Sequence, residues 1–115
     1  MAKLKKEYSC SLMLTHDLIG GKWKLRILWH IMVGDTRFSS LQREMKDITS
    51  KVLSSQLREL ESAGLISRKV YPDVPPRVEY DFTDLGRELY PVLKTLSQWS
   101  NQYAADHGIK VPSII

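Results

Sequence analysis

Apolar residues recur at helical spacing in four successive stretches before the rhythm of the chain changes. In "SLMLTHDLI" (11–19) they are Leu12, Met13, Leu14, Leu18 and Ile19, and Gly20-Gly21 stops the run. "KWKLRILWHIM" (22–32) repeats the pattern with Trp23, Ile27 and Met32 beside Leu28 and Ile31, and Gly34-Asp35 closes it. Phe38, Leu41 and Met45 in "RFSSLQREMK" (37–46) predict a short third helix with Ser39 or Ser40 as its amino-terminal cap. The fourth stretch, "DITSKVLSSQLRELESAGL" (47–65), is the best defined: Leu53, Leu57 and Leu60 form an unbroken apolar row, Thr49 or Ser50 caps the start, and Gly64 supplies the stop.

The period then falls to two. In "LISRKVY" (65–71) Ile66 and Val70 share a face, and in "RVEYDF" (77–82) Val78, Tyr80 and Phe82 do, so the two read as strands of a hairpin. Pro72, Pro75 and Pro76 stand between them; proline cannot donate to a ladder, which puts "PDVPP" in a stiff exposed tip. "TDLGRELYPVLKTLSQWSNQYAADHG" (83–108) returns to helical period through Leu85, Leu89, Val92, Leu96, Trp99 and Tyr103, with a kink expected at Pro91. Three helices, a capped helix, a hairpin and a long helix make a mostly helical α+β chain in the order of a winged helix-turn-helix. Without repeat, low-complexity tract or linker, residues 1–115 read as one domain, with a basic arm at 1–9 and a terminal helical region at 83–107.

Size and composition narrow what such a domain does. At 115 residues the chain is in the range of one domain, long enough for a real core but too short for a substrate domain plus a cofactor domain, and 43% hydrophobic with 26% charged residues is ordinary globular composition. No apolar run approaches the ~20 residues that span a bilayer. "MAKLKKEYSCSLML" has the charge of a signal peptide but interrupts its apolar part and offers no cleavage site, so the expected location is the cytoplasm. A net charge of +4 suits a polyanionic partner.

Opposite the leucine row, the fourth helix carries Lys51, Ser54, Ser55 and Arg58, residue types that reach base edges and phosphates in a major groove. Thr49 and Ser50 stand at a helix start whose free amides attract phosphate. Arg68, Lys69 and Arg77 flank the proline tip, opposed in the loop by Asp73 alone. Each patch has a plain alternative, a solvated helix face or a hairpin kept soluble by charge. Together they favour duplex DNA over a protein-gripping winged helix, which leaves both patches without a use. Trp23 and Trp29 read as packing residues, whereas Trp99 and Tyr103 fall late on a helix that a small domain cannot cover.

An enzyme is disfavoured. His16, His30, His107 and the single cysteine show no metal-ligand spacing, His16-Asp17 are helix neighbours pointing apart, and no glycine-rich phosphate loop occurs. Neither a cofactor nor a metal is called for. Cys10 precedes the first helix near Lys5 and Lys6, a setting that favours thiolate, against the alternative of an inert small apolar residue.

"DLIGGKWKLRIL", "LSSQLRELESAGLISRKVYPDVPPRVEYDFTDLGREL" and "PVLKTLSQW" each resemble, in order and spacing, a signature of the HxlR-type winged helix-turn-helix regulators of bacteria, which are MarR-like. The resemblance implies a homodimer that binds inverted-repeat operators and controls nearby genes, often in response to oxidants, electrophiles or a small molecule. It puts the recognition helix at Thr49 to Gly64 and the wing at Ser67 to Tyr80. A dimer contact follows through Leu12, Leu14 and Leu18 with Leu96, Trp99 and Tyr103, and a redox-sensing cysteine at the place of Cys10. A second cysteine is absent, so a two-cysteine switch within one chain does not fit.

Overall fold

The computed structural model describes residues 4–112. Its elements are α1 (Ser11–Ile19), α2 (Lys24–Met32), α3 (Phe38–Glu44), α4 (Ser50–Ser62), β1 (Ile66–Tyr71), β2 (Arg77–Phe82), α5 (Asp84–Arg87) and α6 (Tyr90–Asp106). That is the winged helix-turn-helix order expected from the sequence. The strands pair antiparallel from Ile66 opposite Phe82 to Tyr71 opposite Arg77, and residues 72–76 form the tip.

The core is built from the rows that the periodicity marked. Ile27, Leu28 and Ile31 of α2 meet Leu41 and Met45 around α3, Leu53, Leu57 and Leu60 of α4, and Ile66, Tyr80 and Phe82 at the root of the wing. Leu93 adds the one large side chain of α6 buried in that cluster. Beyond Ile66, the residues from Ser67 to Val70 are exposed, so the hairpin projects from the core instead of lying on it. Val70, which shares a strand face with the buried Ile66, thus lies outside the core. Gly64 takes a φ of +80° just after α4, a backbone that glycine adopts without steric cost, and the chain turns there into β1.

Three local expectations are corrected. Neither Ser39 nor Ser40 caps α3: Arg37 occupies the N-cap in extended backbone with no side-chain cap bond. The reason is tertiary. Arg37 forms an isolated antiparallel bridge to Glu79, and Tyr80 N–H donates to Thr36 O at 2.7 Å, so a short rung on β2 fixes where α3 begins. Pro91 also does not kink one long helix. The Thr83 hydroxyl caps the short α5, the chain leaves helix after Arg87, and Pro91 lies in the first turn of a new helix, where its missing N–H removes no bond. α2 begins at Lys24, with Trp23 at its N-cap, two residues later than the periodicity placed it.

Residues 1–3 of the basic arm lie outside the described residues; the rest returns to α1. Lys5 N–H donates to the Tyr8 phenol oxygen at 2.9 Å, and Tyr8 in turn donates to Asp17 at 2.7 Å. The Lys5 amide pulls the Tyr8 pKa down, but the bond to the Asp17 carboxylate and local desolvation outweigh it and hold the phenol above its ordinary value. Arg26 of α2 grips Asp47, in the α3–α4 turn, through bonds of 3.2 and 3.0 Å, and this guanidinium keeps the Asp47 carboxyl below the usual carboxylate range.

Candidate nucleic-acid interface

At the start of α4 the two candidate caps divide the work. The Thr49 hydroxyl oxygen accepts from Val52 N–H at 3.2 Å, which leaves its own proton free to donate outward. Ser50 turns instead toward α3, accepting from Gln42 Nε2 at 2.8 Å, so its hydroxyl joins the two helices of the helix-turn-helix. Lys51, Ser55 and Arg58 are exposed on the side away from the leucine row, and Ser54 is half-buried.

Strand alternation sorts the wing's cations onto two faces. Arg68, opposite Tyr80, points toward α4: with Arg58, Ser54 and Glu61 it surrounds a groove of about 500 Å³ floored by Phe38, Val78 and Tyr80. Lys69 and Arg77 point the other way, with Tyr71 and Glu79. The Lys69 ammonium lies 4.8 Å from the Tyr71 ring centroid and the Arg77 guanidinium 4.1 Å, so the ring is flanked by two cations.

Arg77 is thereby occupied. Its Nε lies 3.0 Å from Glu79 Oε2 and a terminal nitrogen 3.6 Å from Asp73. The Nε–H is buried without an aligned hydrogen bond, so the Glu79 contact is a charge pairing, not a directed bond. Glu79 also takes Arg37, at 3.7 Å. By contrast Lys51, Arg58 and Arg68 carry no ion pair among the described residues. The three cations of the hairpin are thus not one cluster: Arg68 lies on the face toward α4, while Lys69, which also carries no ion pair among the described residues, shares the other face with the carboxylate-bound Arg77.

The structure adds Arg37 to this surface; with Ser39 and Phe38 it forms one side of a second groove, about 550 Å³, against Val74, Pro75 and Pro76 of the tip. Periodicity could not have found it, because what places Arg37 there is its pairing with a strand far along the chain.

Apolar side chains of α1 and α6 are left uncovered. Leu12 of α1 is 72% exposed and Trp99 of α6 is 67% exposed, with Val92, Leu96 and Tyr103 also open. Trp99, Tyr103 and His107 stack as a ladder, with centroid spacings of 5.7 and 4.0 Å. Leu14 is half-buried, and Leu18 packs partly against the core of its own chain. Cys10 is exposed and unpaired at the N-cap of α1. Trp23 and Trp29 pack partly buried against the core, as expected.

Among the described residues no three His, Cys, Asp or Glu side chains are grouped to hold a metal. No helix among them is long and apolar enough to cross a membrane.

Comparison with known proteins converges on one family. The model of the HxlR-like helix-turn-helix family matches residues 18–108. YkvN of Bacillus subtilis, named as an HTH-type transcriptional regulator, is 50% identical over 99 residues, covering 86% of this chain and 84% of its own. A similar relative from Methanothermobacter thermautotrophicus, also named as an HTH-type transcriptional regulator, is 45% identical over 109 residues, covering 92% and 83%. Among solved structures, the redox regulator HypR in its oxidized form superposes with a TM-score of 0.76 at 42% identity, covering 81% of this chain and 96% of that one. YtcD, an HTH-type transcriptional regulator, gives 0.77 at 46% identity, covering 82% and 96%. These are regulators and not enzymes, and the chain belongs to the HxlR family of DNA-binding helix-turn-helix transcriptional regulators.

Proposed function

We propose that this regulator binds inverted-repeat duplex DNA as a two-fold homodimer, with α4 in the major groove and the wing beside the flanking backbone. The observation that carries the reading is that Arg58 of α4 and Arg68 of the inner face of the wing, both free of ion pairs among the described residues, line one groove, with Lys51 exposed and also without an ion pair near the start of α4. Cations without a protein carboxylate are those that phosphate and base acceptors can engage at no cost of breaking a pair. Thr49 and Lys51 serve phosphates at the helix start, Ser50 joins them only by leaving Gln42, and Arg58 with Ser54 and Ser55 reads bases. Arg68 and Lys69 follow the backbone. Arg77 reaches a phosphate only by leaving Glu79 and Asp73, so its first task is to hold the wing in shape.

The dimer uses α1 and α6. Burying Leu12, Leu96, Trp99 and Tyr103 across a two-fold axis removes the exposed strip from water, and the two α4 helices then meet successive major grooves. The exposed Cys10 is the candidate sensor of oxidants or electrophiles, a reading supported by the likeness to the redox regulator HypR.

Fluorescence anisotropy on a duplex enriched by the protein from a randomised pool, against a scrambled duplex across a salt series, tests the function. The enriched duplex is expected to bind at least about 10³-fold more tightly, with a steep salt slope. Equal weak binding to both duplexes sinks the specific-regulator reading. Absence of binding even at low salt moves the chain to the alternative, a winged helix that grips protein.

In the same assay Arg58→Ala is expected to lose about 1–3 kcal/mol at its base pair and to relax preference there. Lys51→Ala weakens every sequence alike and flattens the salt slope by about one. Equal losses on both duplexes for both variants would show that the two residues do not divide the work. Cys10→Ser is expected to leave DNA affinity within about twofold and to abolish the change that diamide produces in the unsubstituted protein. A diamide response that survives the substitution removes Cys10 from sensing.

A further inference from the structure

Lys24, the first residue of α2, is the one buried charged residue among those described. Its Nζ donates to Glu59 Oε1 of α4 at 2.8 Å, and the two side chains are only 7% and 14% exposed. Neither group can reach DNA, and neither belongs to the surface described above. We infer that this ion pair fixes the rotation of α4 about its own axis, and through it the choice among base sequences. The inference rests on α4 being the element that reads DNA.

The leucine row and the ion pair constrain α4 in different ways. Leu53, Leu57 and Leu60 decide which side of α4 faces inward, but dispersion and apolar burial are non-directional and tolerate small rotations. An ammonium held 2.8 Å from a carboxylate, with both side chains largely out of solvent, tolerates little, because a charge that loses its partner there regains little water. Glu59 follows Arg58 directly and lies one turn beyond Ser55, so it is part of the same rigid segment as the base-reading side chains. A rotation of about 20° swings groups at a helix radius of ~5–6 Å by on the order of 2 Å, more than a directed hydrogen bond survives. Phosphate contacts, which are longer-ranged, are far less affected.

Buried ion pairs contribute little net stability compared with apolar residues of similar volume, and setting register is their best-attested use. This gives a test that separates positioning from mere folding. The variants are the double substitution Lys24→Met with Glu59→Leu, and Glu59→Asp, which keeps the charge but withdraws it by one methylene. Melting temperature is read by circular dichroism, and affinity by anisotropy on the enriched and scrambled duplexes across salt.

The double variant is expected to melt within a few degrees of the parent and to bind scrambled duplex within about twofold with the same salt slope, while affinity for the enriched duplex falls about tenfold or more. Glu59→Asp is expected to lower the ratio of the two affinities by about threefold and to remain folded even where the double variant does not. A ratio unchanged within twofold in a folded variant overturns the inference and leaves the pair a structural contact. Equal loss on both duplexes overturns it as well. The parent protein is measured first: if it shows no preference for the enriched duplex, the DNA-reading function fails, not the role of the pair.

Discussion

Gly86→Ala is expected to destabilise the domain by about 3 kcal/mol or more, enough to leave a substantial unfolded fraction in a domain of ordinary stability. Gly86 is buried inside α5, and a Cβ built on it would overlap the Leu65 carbonyl oxygen and lie 2.9 Å from Phe82 Cδ1. Neither neighbour can withdraw. The Leu65 carbonyl accepts Thr83 N–H at 3.1 Å, and Thr83 Oγ1 both donates to Gly64 O and accepts from Gly86 N–H at 3.0 Å, so the junction of α4, β1 and α5 is tied from three sides. Phe82 is itself buried and packs edge-on to Tyr90 with centroids 4.9 Å apart. The adjacent Leu85 is 54% exposed, and Leu85→Ala is expected to change stability by only about 0.5 kcal/mol. Urea denaturation of the two variants compares them directly. A Gly86→Ala protein with the parent's midpoint would mean that the helix–strand junction is far softer than its bonds imply.

That junction marks the limit of what periodicity reads. Leu53, Leu57 and Leu60 were legible as the inward row of α4 because helix geometry alone brings them together, and Gly64 as its stop because only backbone conformation is involved. The three prolines announced the wing tip because proline's lack of a donor is a local property. Strand alternation was sufficient to separate Arg68 from Lys69, since neighbours on a strand face opposite ways; reading them as one cluster near the tip passed over a signal that was present.

What pattern could not supply were contacts between segments distant in the chain. The start of α3 depends on Arg37 pairing with Glu79, so the nearby serines misled. Pro91 is compatible with a kink or with a helix start, and the Thr83 cap starts a separate short helix that stops at Arg87, which leaves Pro91 in the first turn of the next. The Lys24–Glu59 pair looks in sequence like two surface charges, and only the approach of α2 to α4 buries it. Function follows the same division. The candidate DNA-reading face was visible from one helix, whereas the charge state of its surroundings, with Arg77 engaged by carboxylates and Arg58 and Arg68 free of ion pairs among the described residues, required the fold.

Trp99→Asp is expected to turn the proposed dimer into a monomer and to lower affinity for an inverted-repeat duplex by about 10²-fold or more. Trp99 is 67% exposed and, within its own chain, stacks on Tyr103, so its replacement leaves the core of the monomer untouched. In the proposed dimer its value lies across the two-fold axis. Large aromatic side chains at interface centres are worth at least about 2 kcal/mol each, and symmetry makes one substitution act twice. An aspartate there also places a charge in a surface that must lose water to associate, at a cost that neighbouring Leu96 cannot offset. The effect on DNA is larger than the effect on any single contact, because a dimer binds its second half-site at the effective concentration set by the first, and a monomer forfeits that gain. Sedimentation velocity reads the association state. Anisotropy on an isolated half-site, where affinity is expected to stay within about twofold, separates a lost dimer from a damaged α4. A Trp99→Asp protein that remains dimeric would place the two-fold interface elsewhere than the α1–α6 strip. Loss of half-site binding by a folded monomer would instead show that α4 depends on the partner for its setting, and not on its own chain alone.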